Sequence, residues 1–306
     1  LSCNSNGKWK GFPTLAGESD IWVTGFVLSH IAALCQQTTI IREAEKFLLQ
    51  SQHADGGWSY SSQVPSDADS TAWCLQALQA SNDFTEPDKE TATTFLWSHF
   101  TNGGVSTYRV DSGIREFISA PADEFIAGWT SPHPDVSIAA VLADTQNNKA
   151  AEIINWLIQQ QTSKGFINSY WWLGPHYTTA LFLRAASKIK YPVSNELAGQ
   201  IVESLVREQL PDGGFALGSS AMMNPFTTAL ALESFLHTAN KGRQNERINC
   251  ANALLHAQHE NGSWAGDYIL RIPAPYVTDP DEVASWNNAG GGGNSLIEDK
   301  DGLFAT

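Results

Sequence analysis

The chain has 306 residues, 18 of them basic and 32 acidic, which gives a formal net charge of −14 at pH 7. A negative field of this size repels nucleic acid and anionic membrane surfaces, so neither is an expected partner. The sequence shows no run of about 18 apolar residues and no secretory leader pattern. We therefore expect a soluble, cytoplasmic protein without a transmembrane segment.

Cysteine usage points to the same compartment. Cys3, Cys35, Cys74 and Cys250 stand far apart and form no CxxC or CxxH grouping. This pattern is typical of buried free thiols in a reducing environment. We expect no disulfide framework, no metal site and no cofactor.

A glycine followed by a large apolar residue recurs six times and shows that the chain is built from repeats. The copies are Asn6-Gly7-Lys8-Trp9, Asp55-Gly56-Gly57-Trp58, Asn102-Gly103-Gly104-Val105, Lys164-Gly165-Phe166, Asp212-Gly213-Gly214-Phe215 and Asn261-Gly262-Ser263-Trp264. Their last residues are separated by 49, 47, 61, 49 and 49 positions. Chance glycine turns would not give this regularity.

Each repeat predicts two helices. A paired apolar step with helical periodicity precedes each of the last five loops and predicts an amphipathic outer helix. The steps are Phe47-Leu48, Phe95-Leu96, Trp156-Leu157, Leu205-Val206 and Leu254-Leu255, and four of the helices end in Gln52, Gln161, Gln209 and Gln258. After each loop, a Thr-Ala pair or its equivalent is predicted to open an apolar inner helix over 26–34, 72–80, 138–143, 180–186 and 229–235.

These units predict an all-α protein, an α/α toroid of helical hairpins in two concentric rings around a central cavity. We expect one domain over residues 1–306. The segment 266–302 is rich in proline and glycine and is either a lid over the cavity or an inert connection.

The helix, glutamine and Gly-aromatic pattern resembles the QW repeat of squalene-hopene and oxidosqualene cyclases, and looser versions occur in protein prenyltransferase β-subunits. The segment Asp67-Ala68-Asp69-Ser70-Thr71-Ala72 resembles the DxDD-Thr-Ala motif of class II terpene cyclases. The resemblance implies that Asp69 protonates an alkene or epoxide and that Asp67 is the first carboxylate. Ser70 departs from the motif, because bacterial cyclases carry an aspartate there.

Elementary chemistry supports an acid at this place. Protonating an alkene needs a strong acid kept neutral, which crowded carboxylates in a poorly solvated site provide. Hydrogen bonds from Ser70, Thr71 or helix N-terminal N–H groups would favour proton loss. Ordinary N-capping explains Asp, Ser and Thr before a helix equally well.

The same register in the other repeats helps to distinguish the two readings. Two positions before the Thr column, the five repeats carry Trp22, Asp69, Asp135, Tyr177 and Phe226. Polar caps therefore do not recur there, apart from Asp135, which is expected to share the site with Asp69. His133 is a candidate hydrogen-bond partner for the acid.

Aromatic side chains are the second predicted ingredient, because they stabilise carbocations without offering a nucleophile. The candidates for binding an apolar small-molecule substrate are Trp22, Trp73, Trp129, Trp171, Trp172, His176, Tyr177, Phe226 and Trp286. Trp9, Trp58 and Trp264 belong to the repeat loops and are expected to be structural.

The predicted function is a Brønsted-acid cyclase that acts on an isoprenoid-type molecule. No Asp-x-Cys pair with a matching histidine and no DDxxD helix is present, which disfavours zinc-dependent prenyl transfer and diphosphate ionisation. Two alternatives stay open. One is a carbohydrate hydrolase or lyase with Asp69 and Asp135 as paired carboxylates, and the other is a non-catalytic toroid that binds lipid or peptide.

Overall fold

The computed structural model describes residues 6–32, 38–238, 243–288 and 293–305. The chain divides into two compact units, Leu1–Asp144 with Ile272–Ile297, and Thr145–Arg271 with Glu298–Thr306. Cys3, Cys35, the end of the predicted helix 26–34 and residues 289–292 of the segment 266–302 lie outside the described residues. That the chain is one domain, and that 266–302 acts as a lid, stay predictions.

Helices dominate the first unit. Its elements are β1 (Gly11–Thr14), β2 (Gly17–Ser19), α1 (Ile21–Ile31), α2 (Thr39–Gln50), α3 (Ala68–Leu78), α4 (Glu86–Trp97), β3 (Phe100–Thr101), β4 (Gly104–Val105), α5 (Ile114–Phe117), α6 (Ala127–Thr130) and α7 (Pro134–Ala143). The strands pair as two short antiparallel ribbons, β1 with β2 and β3 with β4. The inner helices α1, α3 and α7 pack side by side, with α2 against α1 and α4 against α3.

The second unit repeats the same arrangement. It contains α8 (Ala150–Gln159), α9 (His176–Lys188), α10 (Asn195–Glu208), α11 (Pro225–His237) and α12 (Gln244–Ala257). The inner helices α9 and α11 pack on each other, and α8, α10 and α12 lie against them.

The segment 266–302 is divided between the two units, with Ile272–Ile297 in the first. It holds β5 (Tyr268–Ile272), a short 3-10 turn at Pro280–Glu282 and β6 (Ser295–Glu298). No helix of the described ranges is long and apolar enough to cross a membrane.

Burial confirms the distinction between inner and outer helices. In α7 every residue from Asp135 to Ala143 is buried, whereas α10 buries only one face, with Leu205 among the buried residues. The last predicted apolar step is an exception. Leu255 of α12 is 65 % exposed, so the prediction that this step packs inward was wrong for that residue. In α12 the small side chains of Cys250 and Ala253 are buried instead.

The glycines of the six loops share one backbone conformation that explains their recurrence. Their φ angles lie between +76° and +89°, a region that residues with a Cβ avoid. A Cβ on Gly56 would lie 2.5 Å from Thr91 Cγ2, and one on Gly213 would lie 2.6 Å from the Asn249 carbonyl oxygen. The loop therefore approaches the backbone of the following outer helix closely.

The glutamines and the Thr column hold these loops in place. The Nε2 groups of Gln52, Gln209 and Gln258 donate to the carbonyl oxygens of Gly56, Gly213 and Gly262. The hydroxyls of the Thr column accept backbone N–H groups from the loops at 2.7–3.0 Å in all five repeats. The regular spacing of the two motifs thus reflects a direct contact between loop and inner helix.

This contact also corrects the predicted helix starts. Each inner helix begins three residues before its Thr column, so the prediction that the Thr-Ala pair opens the helix was wrong. The threonine lies one turn inside, where the Thr71 hydroxyl donates to the Asp67 carbonyl oxygen at 2.7 Å. Prolines at the first helical position of α7 and α11 signal the true start. As a result, Asp69 lies within the first turn of α3.

We expect Thr228→Val to destabilise the fold by about 1–3 kcal/mol, because it leaves a buried N–H without an acceptor. In the wild type the Thr228 hydroxyl accepts from the Phe215 N–H at 2.9 Å and donates to the Asn224 carbonyl at 2.8 Å. Urea unfolding measures the change. Thr228→Ser keeps the hydroxyl and is the matched control. Equal stability of the valine and serine variants would contradict a structural role for this contact.

Candidate active site

Asp67 is the N-cap residue of α3. Its Oδ1 accepts the Ser70 backbone N–H at 2.7 Å and its Oδ2 accepts the Ser70 hydroxyl at 2.7 Å. Burial raises its pKa to about 7, although these hydrogen bonds act in the opposite direction. Of the two aspartates in the motif, Asp67 is thus the one that caps the helix.

Asp69 has different partners, and they come from aromatic side chains. The Trp22 indole N–H donates to Asp69 Oδ2 at 2.8 Å. The Trp73 indole N–H is also close to Asp69 and lowers its pKa. Within the described residues this N–H makes no hydrogen bond of normal geometry. Asp69 keeps part of its surface accessible, whereas Asp67 and Ser70 are buried. Of Asp67, Asp69 and Ser70, only Asp69 is thus a partly exposed residue.

The surroundings of Asp69 favour its neutral form. Burial raises its pKa well above the ordinary value, and the neighbouring carboxylates of Asp67 and Asp135 raise it further. The two indoles lower the pKa but do not reverse the shift. Like charges in a poorly solvated site disfavour ionisation. The surroundings of Asp69 therefore shift it towards the protonated form that a general acid requires.

Asp135 and His133 lie at the start of α7. Asp135 is buried and acts on Asp69 through its charge, as expected for a carboxyl that shares the site. His133 Nε2 donates to the Gly128 carbonyl at 2.7 Å, so Nδ1 accepts the Thr107 hydroxyl at 2.7 Å. Burial lowers the His133 pKa to about 3. Because both ring nitrogens are used, His133 holds the loop before α7, and the predicted direct bond to the acid gains no support.

The hydroxyls of Ser70 and Thr71, which were predicted to donate to the acid, donate to other groups. The Ser70 hydroxyl donates to Asp67, and the Thr71 hydroxyl donates to the Asp67 carbonyl. The prediction that Ser70 or Thr71 donates a hydroxyl hydrogen bond to Asp69 gains no support from these contacts. Trp22 and Trp73, which were expected to bind substrate, have their indole N–H groups near the Asp69 carboxyl instead, and that of Trp22 donates to it.

Two of the aromatic candidates of the first unit, Trp22 and Trp73, belong to one cluster of rings. The Trp22 ring packs edge-on against Phe12 at 5.5 Å, stacks on Tyr60 at 5.9 Å and lies 6.3 Å from Phe26. Phe26 contacts Trp73 at 4.7 Å. Trp129 lies against Tyr108 and donates its indole N–H to the Pro273 carbonyl, which ties residue 273 to the loop before α7. Trp286 is partly exposed in the same unit.

Three of the candidates of the second unit, Trp172, Tyr177 and Phe226, form a stack of rings. Trp172 lies parallel to Tyr177 at 3.9 Å and to Phe226 at 5.3 Å between ring centres. Trp171 packs edge-on against Tyr170. His176 lies elsewhere in the unit, between Phe166 and Phe215, with its Nε2 3.6 Å from Glu208. Burial lowers the His176 pKa to about 4.

Two residues of the site were missed from the sequence. Tyr60 stacks on Trp22 and donates its hydroxyl to the Phe12 carbonyl. Tyr108 is buried close enough to Asp67 and Asp69 for their charges to raise its pKa. Both follow a repeat loop by two or three positions, after Trp58 and Val105. That offset is the signal that was available.

We expect Asp67→Asn to stabilise the protein at pH 8 but not at pH 4. Folding raises the Asp67 pKa from 3.8 to about 7, so the folded wild type binds this proton more tightly than the unfolded chain. Wild-type stability is therefore lost as the pH rises through about 7. Asparagine caps a helix equally well and carries no charge, and the gain is on the order of 3 kcal/mol.

Thermal unfolding of both proteins between pH 4 and pH 8 measures this difference. Asp111→Asn is the control, because Arg109 lowers the pKa of that exposed carboxyl. It should show no gain that grows with pH. A constant difference between Asp67→Asn and wild type across the range would show that Asp67 is already ionised at pH 4.

Comparison with known families identifies the chain. The family model of the prenyltransferase alpha-alpha toroid domain matches residues 2–107 and 176–271, more than half of the sequence. The chain belongs to this family. The all-α, α/α toroid fold predicted from the repeats is thereby confirmed.

Several solved structures are similar to this chain. The type II terpene cyclase MstE from Scytonema is 27 % identical, with a TM-score of 0.89 over 99 % of this chain and 91 % of that one. A protein from Actinoplanes has the same identity and coverage with a TM-score of 0.88. The ent-copalyl diphosphate synthase from Streptomyces platensis is 19 % identical, with a TM-score of 0.60 over 82 % of this chain and 46 % of that one, and shares the fold.

The chain is a class II terpene cyclase-like enzyme, as predicted from the sequence. None of the curated proteins matches it significantly. MstE has been solved with geranylgeranyl dihydroxybenzoate as substrate and with merosterolic acid A as product. Within the described residues, no group of three or more His, Cys, Asp or Glu side chains is arranged to hold a metal ion.

Proposed function

We propose that this toroid protein cyclises an isoprenoid substrate and that Asp69 donates the proton that starts the reaction. The observation that carries the proposal is the position of Asp69, a partly exposed residue whose carboxyl accepts the Trp22 N–H and whose pKa is raised by burial and by the charges of Asp67 and Asp135. Asp67, Ser70 and Asp135 tune the acid, and His133 positions the loop before α7. No step requires a metal-bound group.

The proton transfer moves one proton and one electron pair. The alkene π electrons take the proton from Asp69, the less substituted carbon gains the hydrogen and its neighbour becomes a tertiary cation. Internal double bonds then attack this cation in turn, and loss of a proton ends the sequence, so substrate and product are isomers. The Asp69 carboxylate left behind faces a cation in a site of low dielectric, where their attraction offsets the cost of ionisation.

Aromatic side chains supply the second part of the mechanism. Trp22, Trp73 and their ring neighbours form a group of π systems close to Asp69, and we propose that their negative electrostatic potential stabilises the first cation. Such contacts contribute about 0.5–2 kcal/mol each without providing a nucleophile. We propose that Trp129, Trp171, Trp172, His176, Tyr177, Phe226 and Trp286 line the rest of the substrate path.

The proposed substrate is a linear isoprenoid with a free terminal alkene, and a prenylated aromatic acid is the first compound to test. The support is the similarity to MstE over nearly the whole chain, since MstE binds a geranylgeranyl dihydroxybenzoate. We place the reaction in the cytoplasm. The buried free thiols of Cys74 and Cys250 are typical of a reducing compartment.

Turnover in heavy water tests the proposed chemistry. Linear prenyl alcohols, prenyl diphosphates, prenyl epoxides and prenylated aromatics are incubated with the enzyme in D2O. Protonation of the terminal trisubstituted alkene places one non-exchangeable deuterium on the carbon next to the gem-dimethyl carbon, a ring methylene of the cyclised product, seen by mass spectrometry and NMR. Protonation of an epoxide leaves an exchangeable hydroxyl and no such label.

The outcomes separate the candidate functions. A singly labelled isomer of the substrate supports alkene protonation, and an unlabelled cyclic alcohol supports the epoxide branch. Cleavage of a glycan substrate, or binding of all four isoprenoids without turnover, would overturn the proposal in favour of the carbohydrate enzyme or the non-catalytic toroid.

A further inference from the structure

The hydrogen bond between Trp22 and Asp69 joins two neighbouring inner helices at the same register. Trp22 is the second residue of α1, and Asp69 is the second residue of α3, which packs beside it. The indole Nε1 lies 2.8 Å from Asp69 Oδ2. Trp22 therefore occupies the position in its repeat that the acid occupies in the next one.

The surrounding rings hold the Trp22 indole in this orientation. Trp22 is 4 % exposed and is packed by Phe12 on its edge and by Tyr60 on its face. The Tyr60 hydroxyl donates to the Phe12 carbonyl, which links the two packing residues to each other. Rotation of the indole would break these contacts, so its N–H points at Asp69 with little freedom.

An indole N–H donates a hydrogen bond and accepts none. The Asp69 oxygen that receives it must therefore act as an acceptor, which in a neutral carboxyl is the carbonyl oxygen. The acidic hydrogen then belongs to the other oxygen, Oδ1. The same N–H strengthens its bond when the carboxyl loses its proton, because a bond to an ionised acceptor is stronger than one to a neutral one.

We propose that Trp22 is a positioning residue that fixes the transferable proton on Asp69 Oδ1 and stabilises the carboxylate formed when that proton leaves. The inference rests on the proposed function of Asp69 as the acid. Trp22 acts through Asp69 and differs in this from a residue that only forms the wall of the substrate site.

Replacing the N–H while keeping the ring tests this role. Trp22→Phe removes the donor, and β-(3-benzothienyl)alanine incorporated at position 22 removes it with almost unchanged ring shape. Loss of one donor to a developing oxyanion is expected to lower kcat by about 100- to 1,000-fold, with KM within about three-fold of wild type. Activity should fall at high pH as Asp69 loses its proton, and this alkaline limb should move to higher pH in the variants, because the Trp22 N–H lowers the Asp69 pKa.

The matched control is Trp97→Phe. Trp97 donates its indole N–H to Asp144 Oδ2 at 2.9 Å, so this variant loses the same kind of bond away from Asp69. Its kcat should stay near the wild-type value. The benzothienyl variant covers the case in which phenylalanine does not fill the space of the indole and the protein fails to fold.

A vibrational measurement separates this inference from the proposed function. The infrared C=O stretch of protonated Asp69 is isolated as the difference between wild type and Asp69→Asn. It should move to higher frequency when the Trp22 N–H is removed, and it should not move in Trp97→Phe. An unchanged stretch, or an unchanged kcat in the benzothienyl variant, would overturn the inference. Absence of any cyclase activity in wild type would refute the proposed function, while the infrared result would still decide the hydrogen bond.

Discussion

Asp69→Asn is expected to abolish cyclisation while leaving the fold intact. General acid catalysis contributes about 100- to 10,000-fold to a rate, and we expect a loss of about 1,000-fold or more because an amide has no acidic proton to give to an alkene. Asparagine has the same shape, and its carbonyl oxygen still accepts the Trp22 N–H. Substrate binding should therefore survive the change.

Stability provides the internal check on this variant. Burial and the neighbouring carboxylates raise the Asp69 pKa, so by the same linkage as for Asp67 we expect Asp69→Asn to be at least as stable as wild type at pH 7, with a gain that shrinks towards pH 4. Product formation is measured by gas or liquid chromatography with the substrate found in the D2O experiment. Asp111→Asn, at an exposed carboxyl paired with Arg109, is the control and should retain full activity. Undiminished product in Asp69→Asn would rule out Asp69 as the proton donor.

Gly213→Ala is expected to destabilise the fold strongly. Gly213 has φ +89°, and a Cβ there would lie 2.6 Å from the backbone carbonyl oxygen of Asn249 in α12. Positive φ costs a residue with a Cβ about 1–2 kcal/mol and overpacking about 1–3 kcal/mol, so we expect a loss of about 3 kcal/mol. The atom in the way belongs to the backbone and cannot rotate aside.

Gly199→Ala is the matched control for Gly213→Ala. Gly199 lies inside α10, and a Cβ there would meet nothing within 4 Å. The same chemical change should stabilise the protein by about 0.5–1 kcal/mol, because alanine is the better helix former. Guanidinium unfolding of both variants measures the contrast. Similar effects at the two positions would contradict the close approach of the loop to α12.

The repeat pattern alone determined the order of loops and the division into inner and outer helices. These features depend on contacts between residues at fixed short spacing, such as the Trp58 N–H with the Thr71 hydroxyl, and on helical periodicity. The repeat pattern also predicted that Asp67 and Asp69 lie at the start of an inner helix. The true helix starts were readable too, since proline precedes the Thr column by three residues in α7 and α11.

Only the tertiary structure decided which groups contact the acid. Trp22 lies 47 residues before Asp69 in the chain and meets it because α1 packs beside α3. Ser70, adjacent in sequence, turns to Asp67 instead, because the N-cap carboxylate is closer to its hydroxyl and helix geometry directs it there. No spacing in the sequence encodes the direction of an indole N–H, since that direction follows from the rings that pack against it. The α/α toroid and the position of Asp69 are thus local properties of the repeat, whereas the hydrogen bond that Asp69 accepts arises from packing between repeats.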